Sequence, residues 1–198
     1  MPKVLVKTSD RLLDAGLALI SQDGLSGVTL GRLADQVGMS KSGVFAHFRS
    51  KVEVQIALLD HSSKLVGPLV LEPAMREPVG LRRLCALIES WFGWAPRAGL
   101  PGGCPVAAAM FELDDVEDGP VRDKVLEMER GFRELLGQLV RDAIATGELR
   151  AELDVEQLVW ELCGIYLGHH VSSRFVRDPE ADARARVAVQ ALLERAKP

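Results

Sequence analysis

Cysteine is scarce in this 198-residue chain: Cys85, Cys104 and Cys163 are odd in number, far apart and without a CxxC pair. Neither a disulfide framework nor a cysteine zinc site fits that pattern. Long apolar runs are missing too, and the opening MPKVLVKTSD breaks into charge at once, unlike a secretory leader. These absences predict a cytoplasmic protein that does not use the membrane. Alternating β-branched stretches are lacking, which removes the signature of half-buried strands, and there is no internal repeat or low-complexity tract. Charge of one sign is not in large excess either. The 24 Lys+Arg and 28 Asp+Glu leave a net of −4, which argues against a protein that coats nucleic acid indiscriminately. The distribution is uneven: residues 1–64 hold 8 basic and 6 acidic side chains, the remainder 16 and 22. The length suffices for a small basic module and a larger companion domain with a substantial core.

What is present concentrates in Thr29 to Phe48, TLGRLADQVGMSKSGVFAHF. A Thr29-capped helix carrying Leu30, Leu33, Ala34 and Val37 on one face stops at Gly38, and Ser40 is a good N-cap for the next helix. Ala34 is small enough for the two helices to cross closely, and Met39, Val44 and Phe48 are spaced to fill the space beneath. Lys41, Ser42, Gly43, Phe45 and His47 then point outward. Lys41 and His47 suit phosphates or base edges, Ser42 suits either, and Gly43 permits close backbone approach. Lys51, at the start of a Ser50-capped helix, is placed for a flanking phosphate. The spacing alone serves an ordinary helical hairpin equally well.

The pattern from Thr8 to Leu59 resembles the DNA-binding domain of the TetR family of transcriptional regulators. The resemblance rests on Asp23-Gly24-Leu25 after an amphipathic helix, Thr29 and Leu33-Ala34, Gly38-Met39-Ser40, Val44-Phe45, His47-Phe48 and Ser50-Lys51. Phe45 stands where that family usually has tyrosine, so a phenol contact to phosphate is missing, and Val52 stands where an acidic residue is usual. The DNA-binding set implied is Thr29, Ser40, Lys41, Ser42, Gly43, Phe45, His47 and Lys51.

Beyond this segment the periodicity predicts a succession of long helices, about nine in the whole chain. They are Ser50–Val70, Gly80–Ala95, a short one from Pro105, a long one from Pro120 to Gly147, Asp154–Phe175 and one from Asp178-Pro179-Glu180 to about Arg195. Pro73 and Pro78 bracket an expected break, and Pro96 to Pro105 reads as a loop. Leu158, Val159, Leu162, Ile165, Tyr166 and His169 offer more apolar surface than one neighbouring helix covers, and Gly164 and Gly168 permit close approach. The family resemblance implies that the last two helices form a four-helix dimer interface, with Leu158, Leu162, Ile165, Val189 and Leu192 as its candidates. A homodimer reads two half-sites about 34 Å apart.

The aromatic residues of the later helices suit either a core or an apolar effector pocket. Pocket candidates are Trp91, Cys104, Met110, Phe111, Met128, Phe132, Trp160, Tyr166 and His169, with Glu112, His169 and His170 as polar anchors. Adjacent histidines point about 100° apart on a helix and do not share one ion easily, so no metal is expected. Cys104 precedes Pro105 at a helix entry, which suits either a reactive thiol near a positive helix end or a small residue in a crowded place. No local motif supports a Cys104 nucleophile with a histidine base, so no catalytic residue is expected.

The expected architecture is all-α. Residues 1–52 form a three-helix helix-turn-helix DNA-binding domain with its motif at 29–48, and residues 53–198 an effector-binding and dimerisation domain. The resemblance implies a homodimeric repressor, without cofactor, released from a near-palindromic double-stranded DNA operator by a small-molecule effector. A redox- or electrophile-sensing regulator acting through Cys104 and a helical protein-binding adaptor stand as alternatives.

Overall fold

The computed structural model describes residues 8–198, so most of the opening segment read above as unlike a secretory leader, residues 1–7, lies outside the described residues. The elements are α1 (Thr8–Gly27), α2 (Leu30–Val37), α3 (Lys41–His47), α4 (Lys51–Val66), a π-helical turn (Gly67–Leu71), α5 (Glu72–Met75), α6 (Leu81–Trp91), α7 (Trp94–Arg97), α8 (Pro105–Glu112), α9 (Pro120–Ala145), α10 (Val155–Val171), a second π-helical turn (Ser172–Val176) and α11 (Ala181–Ala196). Every regular element among the described residues is helical, in agreement with the all-α expectation. No helix among them is long and apolar enough to cross a membrane.

Two compact units result. The first contains the described residues up to Leu65 together with Ala98–Glu127, so α8, which the sequence places in the C-terminal domain, packs with the N-terminal helices. Its core is aliphatic: Leu12, Ile20, Leu33, Val44, Leu58 and Leu59 are fully buried. Fully burying such a side chain contributes about 1.5–3 kcal/mol. Contact between α1 and α4 is close at Gly16, where a Cβ would stand 2.5 Å from Leu58 Cδ2. The loop before α8 lies equally close to α1. A Cβ at Gly102 would overlap the Ser21 carbonyl, and the Gly102 N–H donates to Ser21 Oγ at 3.2 Å.

The second unit contains Val66–Arg97 and Met128–Pro198. Two expected long helices are subdivided here. The α-helix expected through Val70 ends at Val66, and the chain continues, still in helical backbone, through a π-helical turn that carries Pro68. Pro73, expected to mark a break, lies within α5, and the helical path ends only after Met75. The helix expected through Ala95 breaks at Phe92-Gly93, where Gly93 takes φ 71°, and Pro96, expected in a loop, lies in the single turn of α7.

No side chain of its own caps α6, because its N-cap is Gly80. The cap comes from far along the chain. Glu148 Oε2 accepts the Leu81 N–H at 2.9 Å and the Thr146 hydroxyl at 2.7 Å. These two hydrogen bonds, the Thr146 one first, hold the Glu148 carboxyl below its ordinary range. Helices α10 and α11 pack on each other and bury Leu158, Leu162, Leu192 and Leu193.

Candidate nucleic-acid interface

The helix-turn-helix is built by local capping. Thr29 is extended at φ −129°, and its Oγ1 accepts the Arg32 N–H at 3.1 Å to start α2. Gly38 ends the helix in the left-handed region at φ 68°, ψ 34°. Its N–H bonds to the Asp35 carbonyl at 3.4 Å while the Met39 N–H reaches back to Ala34 at 3.0 Å, the paired bonds of a Schellman turn. Ser40 then starts α3, its Oγ accepting the Gly43 N–H at 3.1 Å. Leu33, Ala34, Val44 and Phe48 are buried where the two helices meet.

That packing settles the outward face. Lys41, Ser42, Phe45 and His47 are exposed, and Phe45 holds 53% of its surface in solvent although it is a large apolar residue. Gly43 is only half-buried, and a Cβ there would stand 3.2 Å from Met39 Cε, so its small size serves the turn as well as any approach to DNA. Thr29, Ser40 and Lys51 are exposed at the rim. Lys51 spends one donor on the Ser26 carbonyl at 3.0 Å. Ser50 caps α4 by accepting the Glu53 N–H at 3.1 Å, and Glu53 accepts the Arg49 N–H at 2.8 Å. Two contributors were not singled out from the sequence. Arg32 pairs with Asp23 at 2.5 Å and donates to the Gly27 carbonyl at 2.8 Å, and Gln55 donates to the buried Leu25 carbonyl at 2.7 Å. All three bonds reach outside the helix that carries the residue, so helical periodicity carries no sign of them.

The expected effector residues divide between the units. In the second unit Trp91 stacks on Tyr166 with ring centroids 3.9 Å apart and meets Phe132 at 4.6 Å. Phe92 lies edge-on to Tyr166 and to His169, and the buried Trp94 indole N–H donates to the Tyr166 hydroxyl at 3.2 Å. These rings are packed against one another as a core. His169 Nε2 lies 2.6 Å from Asp182 Oδ1. Met128 is half-buried on α9. Trp160 is not part of the cluster: it stands 63% exposed on the outer side of α10. The second unit also has a groove of about 640 Å³ between α6 and α11, floored by Leu81, Ile88, Phe92, Val189 and Leu193 beside Cys85.

Cys104, Met110 and Phe111 belong to the first unit. Cys104 is buried as the N-cap of α8, its Sγ accepting the Ala107 N–H at 3.5 Å, while Met110 is half-buried and Phe111 exposed. Glu112, expected as a polar anchor for a ligand, instead accepts the Leu25 and Ser26 N–H groups at 2.6 Å each. Burial pushes the other thiols up, Cys163 to about 11, so neither is an activated nucleophile. His170 is pushed down, first by burial and then by Arg174 and His169. Among the described residues no three metal-ligating side chains cluster.

The dimer candidates lie largely inside the subunit. Leu158, Leu162, Val189 and Leu192 are buried within the subunit itself, and Ile165 is half-buried, because α10 and α11 face each other along that stripe. The large apolar side chains left outward on these elements are Trp160, Val171, Phe175, Val176 and Val187, with Gly164 and Gly168 exposed between the first two. Phe175 is 87% exposed and Val187 66%.

Residues 12–58 match the model of the bacterial regulatory proteins, tetR family, and residues 80–189 the tetracyclin repressor-like C-terminal domain. The HTH-type transcriptional regulator SrpR of Pseudomonas putida is 24% identical over 167 residues, covering 82% of this chain and 73% of that protein. A TetR-family regulator from Cytophaga hutchinsonii superposes with a TM-score of 0.85 at 20% identity over 98% of both chains. FadR from Bacillus subtilis, solved in complex with stearoyl-CoA, superposes with a TM-score of 0.74 at 17% identity over 94% of this chain and 98% of that one. With both halves matched, and with an outward α3 face suited to DNA, this chain belongs to the TetR family of DNA-binding transcriptional regulators, which are not enzymes.

Proposed function

We propose that this protein is a transcriptional repressor that binds a near-palindromic operator as a homodimer and is released by a small-molecule effector held within residues 53–198. The observation that carries the reading is the outward face of α3. Lys41, Ser42, Phe45 and His47 are exposed together on a helix whose other side is buried, which leaves phosphate, base-edge and thymine-methyl contacts to those four side chains. Thr29, Ser40 and Lys51 flank them as backbone contacts.

The dimer follows from two considerations. One short helix reads only a few base pairs, and pairing two by a twofold axis raises both affinity and site length. The face of Trp160, Val171, Phe175 and Val187 supplies an apolar surface of the kind that isologous interfaces bury. An effector releases DNA only if it binds the free conformation better than the bound one, by about 1–3 kcal/mol in typical allosteric systems. The complex of FadR with stearoyl-CoA supports a small-molecule effector on this fold.

Selection of bound duplexes from random sequence tests the reading. Inverted half-sites, with affinity falling steeply as salt rises, are expected, and Lys41→Ala should lower the salt slope by about two, one for each subunit. Binding that ignores salt, or selected sites without twofold symmetry, would overturn it.

A further inference from the structure

The turn that hands α1 on to α2, residues 24–27, is gripped from two sides. On one side stands Glu112, the last residue of α8. Its Oε2 accepts the Leu25 N–H and its Oε1 the Ser26 N–H, each at 2.6 Å, so one carboxylate holds two consecutive amides. On the other side α4 supplies donors: Gln55 Nε2 to the Leu25 carbonyl at 2.7 Å and Lys51 Nζ to the Ser26 carbonyl at 3.0 Å. Leu25 and Ser26 are thereby hydrogen-bonded at both the N–H and the C=O.

The turn is shaped to receive this carboxylate. Gly24 takes φ 71°, and a Cβ on it would stand 2.6 Å from Glu112 Oε2. Hydrogen bonds from backbone amides to an anionic acceptor are among the stronger ones in proteins. The segment that presents Glu112 is itself tied down. Gly102 lies against the Ser21 backbone too closely for any side chain, Cys104 caps α8, and α8 packs along α1. Downstream, Arg32 donates to the Gly27 carbonyl and Thr29 caps α2, so a change of angle at residues 24–27 carries α2 and α3 with it, opposed by the exposed Arg32–Asp23 ion pair that spans the turn.

We propose that Glu112 is a positioning residue for DNA recognition: a latch, 87 positions along the chain from Leu25, that fixes the angle at which α1 delivers α2 and α3 and so aims the reading face. It touches no DNA itself. Without the carboxylate the turn keeps its α4 donors and the exposed bonds of Arg32 to Asp23 and the Gly27 carbonyl, and one of the α4 donors, Lys51, is also placed to be drawn to phosphate.

The test compares full-length wild type with Glu112→Ala and Glu112→Gln. Amide exchange in the free protein is measured first. In Glu112→Ala, exchange at Leu25 and Ser26 should accelerate, while the Arg32 and Gly43 amides, capped by Thr29 and Ser40, keep their protection and report that the helix-turn-helix is folded. Titration against the duplex selected by the wild type follows. Glu112→Ala should weaken binding roughly tenfold, the size of a lost charge-assisted hydrogen bond, with an unchanged salt slope and a full active fraction. Glu112→Gln, which keeps one acceptor oxygen, should fall between the two. A destabilised protein would instead lose active fraction at unchanged affinity. The proposal is overturned if exchange at Leu25 and Ser26 stays at the wild-type rate, or if it accelerates while operator affinity remains within twofold of wild type.

Discussion

Ser40 Oγ stands 3.1 Å from the Gly43 amide and 3.0 Å from Ser42 Oγ, so one hydroxyl both starts α3 and steadies a side chain on its outward face. Replacing it with alanine leaves the first-turn amide of a seven-residue helix without its cap. We expect Ser40→Ala to cost about 1 kcal/mol of stability. Thermal melting checks this, and operator binding should weaken as well, because Ser42 loses a partner. A melting temperature equal to wild type would mean that solvent replaces the cap at no cost.

Phe45 is the other distinctive member of that face. Its ring is more than half exposed, so a hydroxyl added at its tip meets open solvent in the free protein. Phe45→Tyr should therefore leave the melting temperature within about 1 °C of wild type, since surface substitutions rarely exceed ±0.5 kcal/mol. Operator affinity should rise severalfold through a phenol-to-phosphate hydrogen bond. Unchanged affinity in a filter-binding or anisotropy titration would show that Phe45 points away from the backbone in the complex.

The reading element was legible because its determinants are local. Thr29, Gly38 and Ser40 act within four residues of themselves, and capping and helical period are properties of a short window. Long-range contacts were not. The Glu112 bonds to Leu25 and Ser26 and the Glu148 cap on Leu81 join residues far apart in the chain, and no periodicity announces them. The dimer stripe is ambiguous for another reason. Leu158 and Leu162 lie on an apolar face at helical spacing, and spacing states that a face is buried without stating whether the same chain or a second copy buries it. Trp160, a pocket candidate by its aromatic character, stands exposed on α10, and aromatic content alone gives no direction.

That distinction between buried and outward apolar residues separates two kinds of variant. Leu162 is fully enclosed, and Leu162→Ala should cost about 2–5 kcal/mol through the cavity it leaves. Trp160→Glu and Val187→Glu alter side chains already in solvent, so the monomer should melt near the wild-type temperature. Under the homodimer proposal these two should shift the mass measured by light scattering from dimer to monomer and abolish tight operator binding. A Val187→Glu protein that remains dimeric would place the interface elsewhere.

Two groups of the second unit, the half-buried His170 and the buried Cys163, link its stability to pH in opposite senses. His170 is pushed below its ordinary value of 6.5, chiefly by burial, so the folded chain takes up a proton less readily than the unfolded one. As pH falls below 6.5 the unfolded state gains protons first, and stability declines until the folded pKa is passed. Cys163 behaves in the opposite sense. Its thiol is pushed from 9.0 up to about 11, so the unfolded chain loses its proton first, and stability declines as pH rises from 9.0 to about 11. Denaturant midpoints measured across pH should therefore show a plateau between these limits. His170→Gln should make the acid limb shallower, and Cys163→Ala should make the alkaline one shallower, with Cys85 keeping its own share, even if the smaller side chain lowers the whole curve. Because a cavity changes the height of the curve and a titration changes its slope, parallel curves for wild type and Cys163→Ala above pH 9 would show that this thiol is not the group responsible.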